Sequence, residues 1–154
     1  MATSRVPEII DNLLAALAAA PPLAHPVRVY DGPLISGEQP ADSVFIGYDG
    51  DPEGEFQAAA AEQSWAGLGA RAKDETVQIV GAVIARRGDT NVRKARVRGY
   101  QLLAAVEDAL RASPALGMPP PTTVAMAAGT CFQEQHARGV QCRITFSIAV
   151  ETRI

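Results

Sequence analysis

The sequence predicts one α+β domain over residues 1–154, with a mixed or antiparallel sheet and two helices packed on one face. Three observations carry that expectation. Two stretches place apolar residues at helical spacing, Pro7 to about Ala20 and from Val92 to about Ala112. Several short stretches, Val- and Ile-rich or alternating, surround them and read as strands. No internal repeat and no linker long enough to divide the chain occurs, and the order helix, strands, helix, strand hairpin is that of an α+β unit.

The elements follow in order. Val6, Ile9, Ile10, Leu13, Leu14 and Leu17 form one face of the first helix. Pro7 suits its first turn, where a missing N–H costs nothing, and Pro21–Pro22 ends it. Val27–Tyr30 is a short strand. Ser43–Tyr48 is a second, apolar on consecutive positions and so expected to be covered on both faces. Asp49–Glu55 is a polar loop broken by Gly50, Pro52 and Gly54. Ala58–Leu68 mixes signals. Its alanines favour helix, whereas Gln63, Trp65 and the glycines beyond favour strand, and strand is expected for Glu62–Leu68. Thr76–Arg86 is the clearest strand, with Gly81 at its centre. Gly88, Asp89 and Thr90 stop it and offer caps for the long helix. Thr122–Gln133 and Val140–Arg153 then read as a hairpin turning at Arg138–Gly139, with Cys142, Ile144, Phe146, Ile148 and Val150 on one face and Arg143, Thr145, Ser147, Ala149 and Glu151 on the other.

Charge is distributed unevenly. No Lys or Arg lies between Arg28 and Arg71, a stretch that carries Asp31, Glu38, Asp42, Asp49, Asp51, Glu53, Glu55 and Glu62. Further on, Arg86, Arg87, Arg93, Lys94, Arg96 and Arg98 crowd around a single acid, Asp89. Clustered like charges repel. Four of the bases sit in the first two turns of the long helix, where the helix dipole disfavours cations by a few tenths of a kcal/mol each. Fold stability therefore gives no reason for the arrangement. An acidic and a basic segment on one chain invite a partner carrying both, the simplest being another copy. The expected interface residues are Asp49, Asp51, Glu53, Glu55, Arg86, Arg87, Arg93, Lys94, Arg96 and Arg98.

Composition bounds the rest. The chain is 47% hydrophobic and 20% charged, which is globular, but only 5% aromatic, with much alanine. The core is expected to be thin and assembly to add stability. A net charge of −3 gives no global attraction to nucleic acid. No run of 18 apolar residues spans a membrane, and Glu8, Asp11 and Asn12 interrupt any secretory signal, so an intracellular protein is expected.

Few residues suit catalysis or metal binding. Asp49, Asp51, Glu53 and Gly54 match the first six positions of a calcium loop, but its twelfth position is Ala60 where a bidentate Glu belongs. Cys131 or Cys142 with His136 could be imagined as nucleophile and base, yet Cys142 falls on the apolar face of its strand and reads as a buried structural thiol. A Cys131–Cys142 disulfide is not expected, because a regular hairpin does not set the two opposite each other. No zinc spacing and no phosphate loop occurs. No catalytic residue, cofactor or metal is expected.

Five segments together resemble a known family. They are Val29-Tyr30-Asp31-Gly32-Pro33, Val44-Phe45-Ile46-Gly47-Tyr48-Asp49-Gly50-Asp51-Pro52, Gln63-Ser64-Trp65-Ala66-Gly67-Leu68-Gly69-Ala70-Arg71, Ala85-Arg86-Arg87-Gly88-Asp89-Thr90 and Arg143-Ile144-Thr145-Phe146. With the N-terminal amphipathic helix, they are similar to small virion proteins of tailed phages, of the tail terminator type. The resemblance implies a non-enzymatic α+β subunit, assembled in the host cytoplasm into a homo-hexameric ring at the head-proximal end of the tail. Such a ring caps the tail tube, ends its polymerisation and offers a surface to the head–tail connector or a neck protein. The implied partners are thus the chain itself, the tail tube protein and the connector. Transient contact of the basic cluster with genomic DNA in the lumen is a second use, and no membrane is involved. The alternatives are another neck or minor tail protein and, from a different class, a small hydrolase or ligand-binding domain using Cys142, His136 or the acids.

Overall fold

The structure is a computed structural model that describes the chain apart from Met1, Ser36, Glu38, Ala70, Ala137 and Arg138, with His136 described by its backbone alone. Its elements are α1 (Val6–Ala18), a 3-10 turn at Pro21–Leu23, β1 (Arg28–Asp31), β2 (Asp42–Ile46), β3 (Ala59–Trp65), β4 (Lys73–Arg87), α2 (Val92–Ala112), β5 (Thr123–His136) and β6 (Gly139–Arg153). The α+β class is as the sequence predicts. The six strands form one mixed sheet in the order β1-β2-β4-β6-β5, with β3 also on β4. Only the β1–β2 pair is parallel; the other pairs are antiparallel.

β4 is the spine. β6 pairs along one of its edges from Asp74 to Arg87. The other edge is shared, with β3 on Lys73–Ile79 and β2 on Gly81–Ala85. Alternation splits the sheet into two faces. Val77, Ile79, Val83 and Ala85 of β4 and Cys142, Ile144, Phe146, Ile148 and Val150 of β6 join one core with Ile9, Leu13 and Leu17 of α1 and Leu102, Val106 and Leu110 of α2. Both helices thus lie on one face, with α1 over β1 and β2 and α2 over β4, β5 and β6. The opposite face has no helix and carries a smaller cluster of Phe45, Tyr48 and Ile84 with Tyr30 and Leu34 beside it. β2 is buried on both faces as its unbroken apolar run predicts, Val44 and Ile46 entering the helix-side core and Phe45 the smaller cluster.

Most element boundaries shift from the sequence expectation by one to three residues, and two of the differences have a plain cause. β3 begins at Ala59, not Glu62, because its ladder to β4 starts at Ala59–Ile79 and offsets the helical preference of its alanines. The cap of α2 is Asn91, one residue beyond the predicted triplet. Its side chain accepts the Lys94 N–H at 3.1 Å, and Asp89 Oδ1 accepts the Asn91 N–H at 2.9 Å. Of the turn expected at Arg138–Gly139, Gly139 is instead the first residue of β6, opposite His136, because the β5–β6 ladder runs that far, and Arg138 lies outside the described residues.

Gly81 has no room for a side chain. A Cβ there would collide with the Phe146 ring, which lies across the glycine, and would meet the Phe45 carbonyl oxygen at 2.9 Å. Gly81→Ala is expected to destabilise the fold by about 1–3 kcal/mol through overpacking, read as a lower denaturant midpoint at unchanged m-value.

Glu75 is a charged group inside the fold, only 1% exposed. On the helix side of β4 it holds the residue at the entry to α1: Arg5 N–H donates to Oε1 at 2.8 Å and the Gln63 amide to Oε2 at 2.6 Å. Burial alone would raise its pKa, but the Arg5 N–H, the Gln63 amide, the Ser4 hydroxyl and the Arg5 charge outweigh it, and the carboxyl is held below its ordinary value. A carboxyl lowered on folding contributes stability that is complete above the unfolded pKa and is lost as pH falls through the folded one. Glu75→Gln is therefore expected to cost about 1–2 kcal/mol near neutral pH. The gap to the wild type should close below about pH 4, as denaturant titrations across pH would report.

Candidate functional site

The acidic loop lies on the helix-free face. Asp49 Oδ1 accepts the Asp51 N–H and Asp51 Oδ1 the Glu53 N–H, both at 2.9 Å, so two of the acids shape their own turns. The loop is tied to the sheet by Arg143, which points to the same face of β6 and is 8% exposed. Its guanidinium donates to the Asp49 carbonyl at 2.9 Å and to Glu134 Oε1 through Nε at 3.1 Å and an Nη at 3.0 Å. It also stacks over the Phe132 ring at 4.4 Å. Gly50 lets the loop settle there. With φ of +79°, a Cβ would come within 2.9 Å of Arg143 Cδ. Tyr48 and Phe56 stack beside it at 5.7 Å. Burial, then the charges of Asp49 and Asp51, push the Tyr48 phenol up against the opposing pull of Arg143.

Between this loop and the sheet is a pocket of about 460 Å³ lined by Asp51, Tyr48, Arg86, Glu134, Gln141 and Arg143 among others. It brings one predicted acid and one predicted base together within a subunit. Among the described residues, no group of three or more His, Cys, Asp or Glu gathers as metal ligands, and no helix is long and apolar enough to cross a membrane.

The basic residues divide. Asp42, at the start of β2, sits between two of them, with Arg87 Nη at 3.0 Å from Oδ1 and Arg98 Nε at 2.8 Å from Oδ2. Arg86 Nε donates to Gln141 at 3.0 Å and an Arg96 Nη to Gln133 at 2.7 Å. Arg93 and Lys94 are exposed and, among the described residues, make no ion pair. They stand at the start of α2, on the helix side of the sheet. Glu53 and Glu55 are exposed and likewise unpaired among the described residues, on the helix-free side. Of the ten residues singled out in the sequence, Asp51 and Arg86 line the same pocket and Asp49 accepts from Arg143 through its backbone carbonyl. Arg87 and Arg98 are compensated by Asp42, Arg96 is held by an amide, and Glu53, Glu55, Arg93 and Lys94 are left on opposite faces.

Sequence reasoning missed Asp42, Glu134 and Arg143 as the organisers of this charge. Arg143 was placed on the outward face of β6, but its burial needs Phe132 and Glu134 from β5, and only the observed register sets Phe132 opposite Arg143. A second uncovered feature is the β3–β4 hairpin. β3 is exposed along nearly its whole length. At its end Trp65 is 64% exposed, shielded by Lys73 Nζ at 5.2 Å from the ring centroid, and Leu68 is fully exposed. Of the nucleophile candidates, Cys142 lies in the helix-side core. Burial, then the neighbouring Cys131, push its thiol up to about 12, so it is protonated at neutral pH. The His136 side chain lies outside the described residues.

No protein-family model matches this chain, and no curated protein sequence matches it.

Proposed function

We propose that the chain is a non-enzymatic structural subunit, similar to phage tail terminators, that closes into a homo-hexameric ring on the end of the tail tube. The observation that carries the reading is the placement of charge that has no ion-pair partner among the described residues. Glu53 and Glu55 lie on one face of the sheet and Arg93 and Lys94 on the other. The sheet keeps the two groups apart within a subunit, so they can meet only between molecules. That is a heterologous contact, one patch against a different patch on the next copy, and such contacts generate rings when the rotation closes. The hairpin bearing Trp65 and Leu68 supports the same reading. It exposes apolar area that its own chain leaves uncovered, the kind of aromatic contact that concentrates binding energy at interfaces. Charge then supplies orientation and association rate, while apolar contact supplies affinity.

In this account the ring stops tube growth, joins the tail to the connector or a neck protein, and resides in the virion. Its test is a polymerisation assay. Purified protein added to assembling tail tube subunits should arrest elongation and remain at one tube end. Tubes that grow to the same length with and without it would remove the terminator reading. Salt-dependent DNA binding by the isolated protein tests the lumen contact, and a flat salt response would remove that part.

A further inference from the structure

Cys131 and Cys142 are not opposite one another in the β5–β6 ladder. Cys131 pairs with Ile144, and Cys142 with Gln133. They are diagonal neighbours on the helix-side face, and the separation of their sulfurs is only 3.5 Å. The sequence expectation that the two are not directly opposed is met, yet the diagonal brings the thiols into contact. Both are free thiols, Cys142 buried and Cys131 half-buried. Helix α2 covers the pair closely, since a Cβ on Gly99 would reach Cys142 Sγ at 3.1 Å. Tyr100 of the same helix lies beside Cys131, whose sulfur disfavours ionisation of the phenol. Cys131 is the more exposed of the two residues, and the buried Cys142 is already in contact with its sulfur. A sulfenic acid formed on Cys131 would have the Cys142 sulfur within reach to resolve it.

We infer that Cys131 and Cys142 form a reversible dithiol–disulfide couple, closed by a peroxide and reopened by thiols, that staples the edge strand β5 to β6. In the first step the Cys131 sulfur attacks hydrogen peroxide. The O–O bond breaks, an S–O bond forms, and the displaced hydroxide takes the thiol proton as water, leaving a sulfenic acid. In the second step the Cys142 sulfur attacks the Cys131 sulfur. The S–S bond forms, the S–O bond breaks, and hydroxide leaves with the Cys142 proton as a second water. The peroxide is reduced by two electrons and the two thiols together are oxidised by two. The sulfurs need to close from 3.5 Å to about 2.05 Å. Rotation of the two side chains about χ1 and a small strand adjustment supply that movement. The staple would lie beneath α2, on the opposite face from Arg143, and does not depend on the ring reading.

The test treats reduced full-length protein with hydrogen peroxide and follows intact mass and alkylation. The wild type should lose two hydrogens, stay a single chain without reductant, resist alkylation at both cysteines, yield a Cys131–Cys142 cross-linked peptide and revert with dithiothreitol. Cys142→Ser should instead gain one oxygen at Cys131, trapped as a sulfenic acid by dimedone. Cys131→Ser should leave Cys142 unoxidised. A wild type that accumulates oxygen on Cys131 while Cys142 stays alkylatable would overturn the inference. So would disulfide dimers formed through Cys131, or no reaction at all in the folded protein.

Discussion

Arg143→Ala is expected to lower stability by about 2–3 kcal/mol and to free the acidic loop from the sheet. Breaking a fully buried ion pair costs about 3–5 kcal/mol, because the surviving charge is left uncompensated. Here the survivor, Glu134, has a side chain 36% exposed and keeps the Gln141 amide at 2.7 Å, so the lower figure applies. The substitution also removes the donor to the Asp49 carbonyl, the stacking on Phe132 and the aliphatic stem on which Gly50 rests. For a domain of this length the melting temperature should fall by roughly 5–10 °C. Amide hydrogen exchange should quicken across residues 49–55 and stay unchanged in α1. Arg143→Lys keeps a charge but not the planar fork that serves three acceptor contacts at once, and should recover no more than about half of the loss. An unchanged midpoint for the alanine variant would show that the loop holds itself.

The charge reversal Arg93→Glu, Lys94→Glu, Arg96→Glu is expected to do opposite things to the fold and to the assembly. In the folded chain these residues contribute little. Arg93 and Lys94 make no ion pair among the described residues, and Arg96 holds only Gln133. Acids in the first turns of α2 suit the helix dipole, so the subunit should be unchanged or more stable by a few tenths of a kcal/mol. In the proposed ring, the same change would face acid with acid. Like-charge juxtaposition should raise the concentration needed for assembly by roughly 10- to 100-fold at low ionic strength, equivalent to about 1.4–2.8 kcal/mol. The effect should shrink as salt screens it. Assembly unaltered at every salt concentration would remove the proposed contact between the acidic loop and these bases.

The fold was legible because its signals are local. The apolar spacing from Ile9 to Leu17 and from Ala95 to Leu110, the Val and Ile run of β4 and the alternation from Cys142 to Val150 each report their own element. What was not legible depends on register. Asp42 reaches Arg87 only because β2 lies antiparallel along the second half of β4, and Arg143 reaches Glu134 only through the β5–β6 ladder. Cys131 and Cys142 come together across a diagonal two residues removed from the opposed pair, which a count from the turn does not reveal. The charge split itself was visible in the sequence. Folding narrows it: Asp42 compensates two bases inside the chain, and what stays without an ion pair among the described residues is Glu53 and Glu55 on one side with Arg93 and Lys94 on the other.

The most direct test of the account is the mass of the purified full-length protein in solution, measured by light scattering over a range of concentration and salt. A ring joined by unlike patches predicts a single closed species, of six chains as the likeness to tail terminators implies, that assembles more slowly and at higher protein concentration as salt rises. A protein that stays a monomer at every concentration and salt, or that forms only a two-fold dimer through identical patches, would contradict it.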